Sequence, residues 1–358
     1  MLKSIAVFFC ILIFGILSVI ILGSIAPQEA TNQFVLASLG MGAFLVASQI
    51  PRQIWPLAVP PLYLLIILLL GITLWRGHLA KGAVRWLPIG PVRVQVSEPA
   101  KPLLALTLAL YCKSSIKSQK RLLGALVLIA IPFFSVFLQP DLGSALVLGA
   151  VGGGALLASI SNKKLLLPWI VLAIISILIS WQFFLYPYQK NRVLSFIGQG
   201  SLADSYNAKQ ALIAVGSGKL FGRGIGHGVQ SNLRFLPEFH TDFFFASYAE
   251  EVGFVGVILL LLLYAFFLFL LLHGIDDLEP VSKIYRYAYA SGVLFQLSVH
   301  IAMNIGLSPV TGIPLPFLSS GGSSFVSLAF GAGLALALST KKVVIKQQRV
   351  KSIWVANY

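Results

Sequence analysis

The sequence predicts an all-α polytopic membrane protein with ten transmembrane helices and a long outer loop between spans seven and eight. Of 358 residues, 58% are hydrophobic and 10% charged, with a mean hydropathy of +0.90. That apolar surface exceeds what a soluble core absorbs. The apolar residues also fall into successive runs long enough to cross a hydrocarbon core. Only one stretch, from about 188 to 242, separates two runs by a long polar connection, which in a compact protein is usually functional or disordered.

The first run, about 4 to 24, follows Met1-Leu2-Lys3. Ser24-Ile25-Ala26 loosely fits a cleavage site, but the run exceeds a signal peptide's apolar core and Pro27 would follow the cut, so an uncleaved helix is expected. Spans two and three lie at about 34 to 50 and 55 to 75. The fourth is apolar only from Pro102 to Cys112, and eleven residues at about 1.5 Å each cannot cross a core of about 30 Å. A full-length helix must begin near Val92, which draws Gln95, Ser97, Glu98 and Lys101 into the membrane. Glu98 and Lys101 are three apart on one helical face, where an ion pair offsets part of the burial cost. The plainer alternative is that Ser97 caps the helix, Pro99 starts it, and the pair lets a short span fit.

Spans five and six, about 122 to 138 and 143 to 160, are joined by Gln139-Pro140-Asp141-Leu142-Gly143, with Asp141 placed to cap the sixth helix. Span seven covers about 165 to 187. Span eight, about 243 to 272, carries Glu250 and Glu251 roughly 12 Å along its axis from Asp242; neither carboxylate can face lipid cheaply. Spans nine and ten are placed at about 287 to 307 and 323 to 340. Between them Gly306 to Ser324 is apolar yet crowded with Pro and Gly. Broken backbone at membrane depth lines substrate sites in other membrane proteins, and a tight turn is the alternative.

Ten spans put both termini on one side. On that side fall Lys3, Arg52, Lys113, Lys117, Lys120, Arg121, Lys163, Lys164, Lys283, Arg286 and the basic tail from Lys341 to Lys351, so both termini are expected to be cytoplasmic. The net charge of +15 then orients the chain and meets anionic membrane lipid, with no need for nucleic acid. Basic residues also occupy the two longer outer segments, 76 to 93 and 190 to 234. They suit an anionic ligand or are solvated loop charge. Cys10 and Cys112 fall inside spans and support neither a disulfide nor a metal site.

The long outer segment contains the run Gly216 to Gly228, where Gly222, Gly224 and Gly226 superficially suggest a dinucleotide turn. No strand precedes them, and Gly218-Lys219 is followed by Leu220 in place of the Ser or Thr of a P-loop. Backbone flexibility is the better reading. Val193 to Ile197 and Ala211 to Val215 are apolar enough to lie on a membrane surface, which suggests a re-entrant or interfacial loop. The segment closes on Leu236-Pro237-Glu238-Phe239-His240-Thr241-Asp242, placing a carboxylate where the outer loop meets lipid; Thr241 or Asp242 as a cap of the eighth helix is the local alternative.

Four segments together resemble the SEDS family, the RodA and FtsW peptidoglycan glycosyltransferases. They are Lys81-Gly-Ala-Val-Arg85-Trp86-Leu-Pro-Ile-Gly90 with Gln95-Val-Ser97-Glu98-Pro-Ala-Lys101; Gln139-Pro-Asp141-Leu-Gly143; Gly228-Val-Gln230-Ser231 through Pro237-Glu238-Phe-His240-Thr241-Asp242 to Glu250-Glu251-Val-Gly253; and Pro309 to Ser324. They occur in the family's order and cover most of the chain, 1 to 358, as a single SEDS-type membrane domain. Val96, Ala211 and Ser320 depart from the family's usual proline, serine and aromatic residue. The Tyr188 to Arg192 and Gly228 to Ser231 stretches look more like RodA than FtsW.

The resemblance implies polymerisation of lipid II on the outer face of the cytoplasmic membrane, beside a class B penicillin-binding protein, for cell-wall elongation and cell shape. Asp242 matches the loop aspartate held essential for catalysis, and Glu98, Lys101 and Asp141 match polar residues of the family's central cavity. An α-linked pyrophosphate donor and a β-linked product require one inverting displacement, for which Asp242 is the expected general base. Arg85, Arg192, Lys209 and Arg223 are candidates to stabilise the leaving pyrophosphate; Gln230, Thr241, Ser319 and Ser323 are further candidate substrate contacts. No cofactor is fixed by this reading, and a divalent cation stays an open alternative. A lipid flippase or transporter and a noncatalytic scaffold of a cell-wall synthase are the rival functions.

Overall fold

The computed structural model describes residues 2–80, 83–89, 92–183, 185–197, 199, 202–321 and 323–339. Lys81, Gly82, Gly90 and Gly322 of the quoted motifs, and the basic tail from Lys341, lie outside them. Each of the ten expected spans coincides with a helix: α1 (Leu2–Ile25), α2 (Pro27–Gln49), α3 (Trp55–Arg76), α4 (Ser97–Tyr111), α5 (Gln119–Phe137), α6 (Leu142–Ser159), α7 (Leu167–Phe183), α11 (Phe244–Leu272), α12 (Pro280–Asn304) and α13 (Ser324–Ala337). Among the described residues α1, α2, α3, α5, α6 and α11 belong to stretches long and apolar enough to cross a membrane by themselves. In α1 both faces are apolar. Val7, Ile11, Phe14 and Ile21 are buried while Ile5, Phe9, Ile13 and Ile20 are exposed, the pattern of a helix with protein on one side and lipid on the other.

Three boundaries differ from expectation: the second helix starts at Pro27, seven residues before the expected 34, and the fourth and ninth also start elsewhere. The fourth helix does not reach back to Val92, because the preceding residues are extended: β1 (His78–Ala80), β2 (Ala83–Ile89) and β3 (Val92–Gln95) form an antiparallel sheet in the order β1-β2-β3. Trp86 pairs with Gln95 and Ile89 with Val92. The alternating Val92-Arg93-Val94-Gln95 has the period of a strand, and cross-strand pairing satisfies backbone groups that a helix would have satisfied internally. Ser97 is no cap either; Val96 occupies that position, and the Ser97 hydroxyl is buried without a partner. The ninth helix starts at Pro280, so Arg286 lies inside it, buried, and not in a loop.

The long segment before α11 folds into α8 (Pro187–Phe196), α9 (Leu202–Ser217) and the single turn α10 (Val229–Asn232). Ala211 and Ala214 of α9 are buried against Leu236, Phe243 and Ala246, while Leu212 and Ile213 between them stay exposed, so one side of the apolar stretch packs on protein and the other remains open to a membrane surface. In the bundle α2 lies along α13 and α6 along α12, with α4 against both α12 and α13. Phe14, Tyr264, Phe267, Phe317 and Phe325 form an aromatic cluster in this core.

About a third of the way along α11 the backbone breaks at Gly253, with φ +70° and ψ −172°. There the segment from Gly218 to Gly228 docks on the helix: a methyl group at Gly253 would lie 2.1 Å from the Gly222 nitrogen, a contact only glycine permits. The break frees carbonyls and amides that the loop takes up. Arg223 N–H donates to Glu250 O and Gly224 N–H to Glu251 O, while Phe254 and Val255 donate to Lys219 O and Leu220 O.

Candidate active site

The sheet, the α5–α6 turn and the irregular segment before α13 meet at one end of the bundle, hereafter the sheet end. Asp141 caps α6 as expected, accepting from Ser144 N–H at 3.1 Å. Its second oxygen faces Gln95 Nε2 at 3.4 Å and Arg85 Nε at 3.5 Å. That Arg85 contact lacks a hydrogen bond's alignment, so the guanidinium is held by charge. Lys101 Nζ donates to Glu98 Oε1 at 2.8 Å with both side chains buried, the ion pair expected from their spacing. Lys101 also reaches Gln296 Oε1 at 3.5 Å, and Gln296 donates to Pro314 O at 2.9 Å. Glu98 Oε2 is buried with no partner, a cost of about 1–3 kcal/mol. Ser323 Oγ brackets the backbone of Gln95, 3.2 Å from its nitrogen and 3.3 Å from its oxygen.

Asp242 does not cap the eighth helix. The cap position of α11 is Phe243, with no side-chain hydrogen bond, and Thr241 Oγ1 instead donates to Glu238 Oε2 at 2.6 Å. The backbone around Asp242 is pinned from two directions: Asn304 Nδ2 donates to Asp242 O at 3.1 Å, and Ser319 Oγ donates to Thr241 O at 3.0 Å. Ser320 N–H adds a bond to His240 O at 2.9 Å. The carboxylate is thereby carried on a fixed loop at the sheet end.

Arg85 from β2, Arg192 from α8 and Asp242 converge on Gly312. A methyl group built there would lie 3.6 Å from Arg85 Nη1, 3.8 Å from Arg192 Nη1 and 3.8 Å from Asp242 Oδ2. Gly312 has φ +71°, which its lack of a Cβ makes inexpensive, and Arg192 Nη1 also donates to Val310 O at 3.3 Å. Beside this point a cleft of about 250 Å³ is lined by residues that include Arg85, Pro140, Gln189, Arg192 and 308–311. Two guanidiniums and one carboxylate suit an anion that loses a leaving group next to a base better than they suit a metal ion. Among the described residues no cluster of three or more His, Cys, Asp or Glu is placed to hold one.

Other sequence candidates go elsewhere. Arg223 Nε donates to Ser217 Oγ at 3.1 Å and lies 3.8 Å from Glu250, and Lys209 is exposed on α9. Gln230 donates its backbone N–H to Glu250 Oε1 at 3.0 Å. Glu250 also accepts from Val229 N–H at 2.8 Å, and Glu251 accepts from Gly226 N–H at 3.0 Å and Ser24 Oγ at 2.7 Å. The two carboxylates therefore anchor the glycine-rich segment to the break in α11. Sequence reasoning missed that role and missed Gly312, although Glu250, Glu251 and Gly312 all stand in the motifs.

The sequence matches the FtsW/RodA/SpoVE family model, described as a cell cycle protein, over residues 2–343. It is 36% identical over 318 residues to the peptidoglycan glycosyltransferase MrdB of Escherichia coli strain K12, covering 87% of this chain and 85% of that protein. With the probable peptidoglycan glycosyltransferase FtsW of Hydrogenovibrio crunogenus it shares 32% over 331 residues, covering 88% and 83%. Among solved structures, a chain from a study of polymerization and crosslinking by a peptidoglycan synthase complex superimposes with a TM-score of 0.78 at 28% identity, over 92% of this chain and 96% of that one. The crystal structure of the rod shape determining protein RodA from Thermus thermophilus gives 0.68 at 28%, over 92% and 94%. On these matches and on the motifs in their order, the chain belongs to the FtsW/RodA/SpoVE, or SEDS, family, on its RodA-like side.

Proposed function

We propose that this protein is a peptidoglycan glycosyltransferase that polymerises lipid II into β-1,4-linked glycan at the outer face of the cytoplasmic membrane, for cell-wall elongation and cell shape, beside a class B penicillin-binding protein. The observation that carries the reading is the convergence of Asp242, Arg85 and Arg192 on Gly312. The acceptor's C4 oxygen attacks the anomeric carbon of the donor and surrenders its proton to the Asp242 carboxylate. The bond from that carbon to the pyrophosphate oxygen breaks on the opposite face, and the electron pair leaves with the pyrophosphate. Arg85 and Arg192 meet the charge as it forms, where a preorganised donor counts most. Asp141 and Gln95 orient Arg85, and the Glu98–Lys101 pair stiffens the start of α4 beneath them.

Orientation follows from charge. The end opposite the sheet carries Lys3, Arg52, Lys113, Lys163 and Lys283, which supports cytoplasmic termini and an outer sheet end. A transporter needs a polar path reaching both ends; here the polar groups gather at the sheet end, and the Glu98–Lys101 pair below them is closed off, at 1% and 6% side-chain exposure.

Asp242→Asn tests the reading. It preserves size and the backbone bonds from Asn304 and Ser319, yet it cannot take a proton. Polymerisation of purified lipid II is expected to fall by about 10²- to 10⁴-fold with an unchanged melting temperature. A variant that polymerises at the native rate would remove Asp242 as the base.

A further inference from the structure

Across the 240–242 backbone from the arginine-lined site lies a second cleft, of about 530 Å³, between the α1–α2 turn and the loop before α11. Its volume falls within the roughly 300–1,000 Å³ of small-ligand sites. The walls present Gln28, Glu29, Arg234, Phe239 and His240 over an apolar floor that includes Ile25. Glu29 Oε2 accepts from Ser320 Oγ at 2.8 Å, so the carboxylate is held in place. Ser320 is one of this chain's departures from the family pattern, and the hydroxyl does what an aromatic ring there would not. Arg234 is exposed, with φ +57°, and its side chain has no ion-pair partner among the described residues. His240 Nδ1 is buried without a hydrogen-bond partner.

A held carboxylate, an uncommitted guanidinium and an unsatisfied imidazole nitrogen do not describe a seat for a lipid tail. They do not describe a pyrophosphate site either, since Glu29 repels it. They match a ligand carrying both ammonium and carboxylate groups along an amide backbone. Position narrows the choice: His240 is two residues from Asp242, at most about 7 Å of extended chain, and Ser320 and Ser319 bond the backbones of His240 and Thr241 respectively. We propose that this cleft binds the stem peptide of the lipid-linked sugar substrate, Glu29 taking an ammonium and Arg234 a carboxylate. The proposal rests on the polymerase reading above and adds a peptide-reading site to it.

The test compares purified native, Glu29→Gln, Arg234→Gln and Ser320→Ala chains on lipid II and on a lipid-linked disaccharide whose peptide is replaced by an uncharged lactoyl amide. The native chain is expected to prefer lipid II, and each variant to lose about fivefold of that kcat/KM preference, the factor set by roughly 1 kcal/mol. An unchanged preference ratio in the variants would overturn the proposal, as would a native chain that treats both substrates alike. A parallel titration with soluble muramyl pentapeptide keeps the two readings apart. Binding weakened by Glu29→Gln supports the cleft even if no chain polymerises, which would sink the polymerase reading alone. Failure of the native chain to bind the muramyl peptide overturns the cleft even if polymerisation is normal.

Discussion

At Gly312 the missing side chain leaves open the point toward which two arginines and one aspartate are aimed, and that space is as much a part of the site as the charges around it. Asn tolerates the left-handed conformation better than other side chains, so Gly312→Asn reports occupancy more than strain. It is expected to keep a near-native melting temperature while cutting lipid II polymerisation about 10²-fold, the order of loss for a misplacement of about 1 Å. Native turnover in that variant would show that the substrate does not pass over Gly312. The contrast with Asp141 is instructive. Asp141 serves as a helix cap and as the counter-charge of Arg85, so the capping reading and the proposed orienting of Arg85 draw on one side chain without conflict. At Asp242 the two readings compete, and the N-cap position of α11 falls to Phe243.

Among the elements, the glycine-rich segment depends on two carboxylates of the helix it docks against. Glu250 accepts from Val229 and Gln230 N–H and lies near Ser217, Ser231 and Arg223. In Glu250→Ala both oxygens are lost, and the Val229 and Gln230 N–H groups lose their acceptor. The expected cost is about 1–3 kcal/mol, read as a lower melting temperature in detergent with faster hydrogen exchange at Val229 and Gln230. Unaltered exchange there would show that the segment is held by packing alone. Little of this was legible in advance. Apolar runs placed every helix of the bundle because bilayer thickness imposes length directly on sequence. The fourth was drawn too long because a length rule presumes a helix, whereas Val92 to Gln95 takes its hydrogen bonds from β2. Arg85, Arg192 and Asp242 are separated by scores of residues, so no spacing could join them. The Glu98–Lys101 pair was readable because a helix fixes the geometry of residues three apart.

For the whole molecule, the two ends differ in kind. The sheet end gathers the polar groups of the candidate site, while the other end is closed by basic side chains. Arg286, buried there, donates to Leu271 O of α11 at 2.8 Å, to Ala335 O of α13 at 3.1 Å and to Ser339 Oγ. It caps two helix C-termini at once, where a cation is favoured by the helix dipole. Lys3 Nζ donates to His273 O at 2.5 Å beside it, and Arg52 pairs with Glu279 at 2.6 Å. On the proposed topology, in which both termini are cytoplasmic, a fluorescent protein fused after Tyr358 is expected to mature and glow, and alkaline phosphatase fused there to stay inactive; the reverse outcome would invert the topology and move Asp242 to the wrong face for an external substrate.

The irregular segment before α13 is tied down by carbonyls that no helix of its own could satisfy. Val310 O is taken by Arg192 of α8, Ile313 O by His300 and Pro314 O by Gln296 of α12, Pro316 O by Tyr264 of α11, and Leu318 O by Ser18 of α1. Gly312 sits in the middle of this lashing. Each of those four helices is thereby bonded to the peptide groups that flank the candidate site. On the proposed assignment of the site, a change in tilt of α1, α8, α11 or α12 would reach these carbonyls directly, so bilayer thickness or a neighbour leaning on α1 or α11 would act on the segment as a mechanical load.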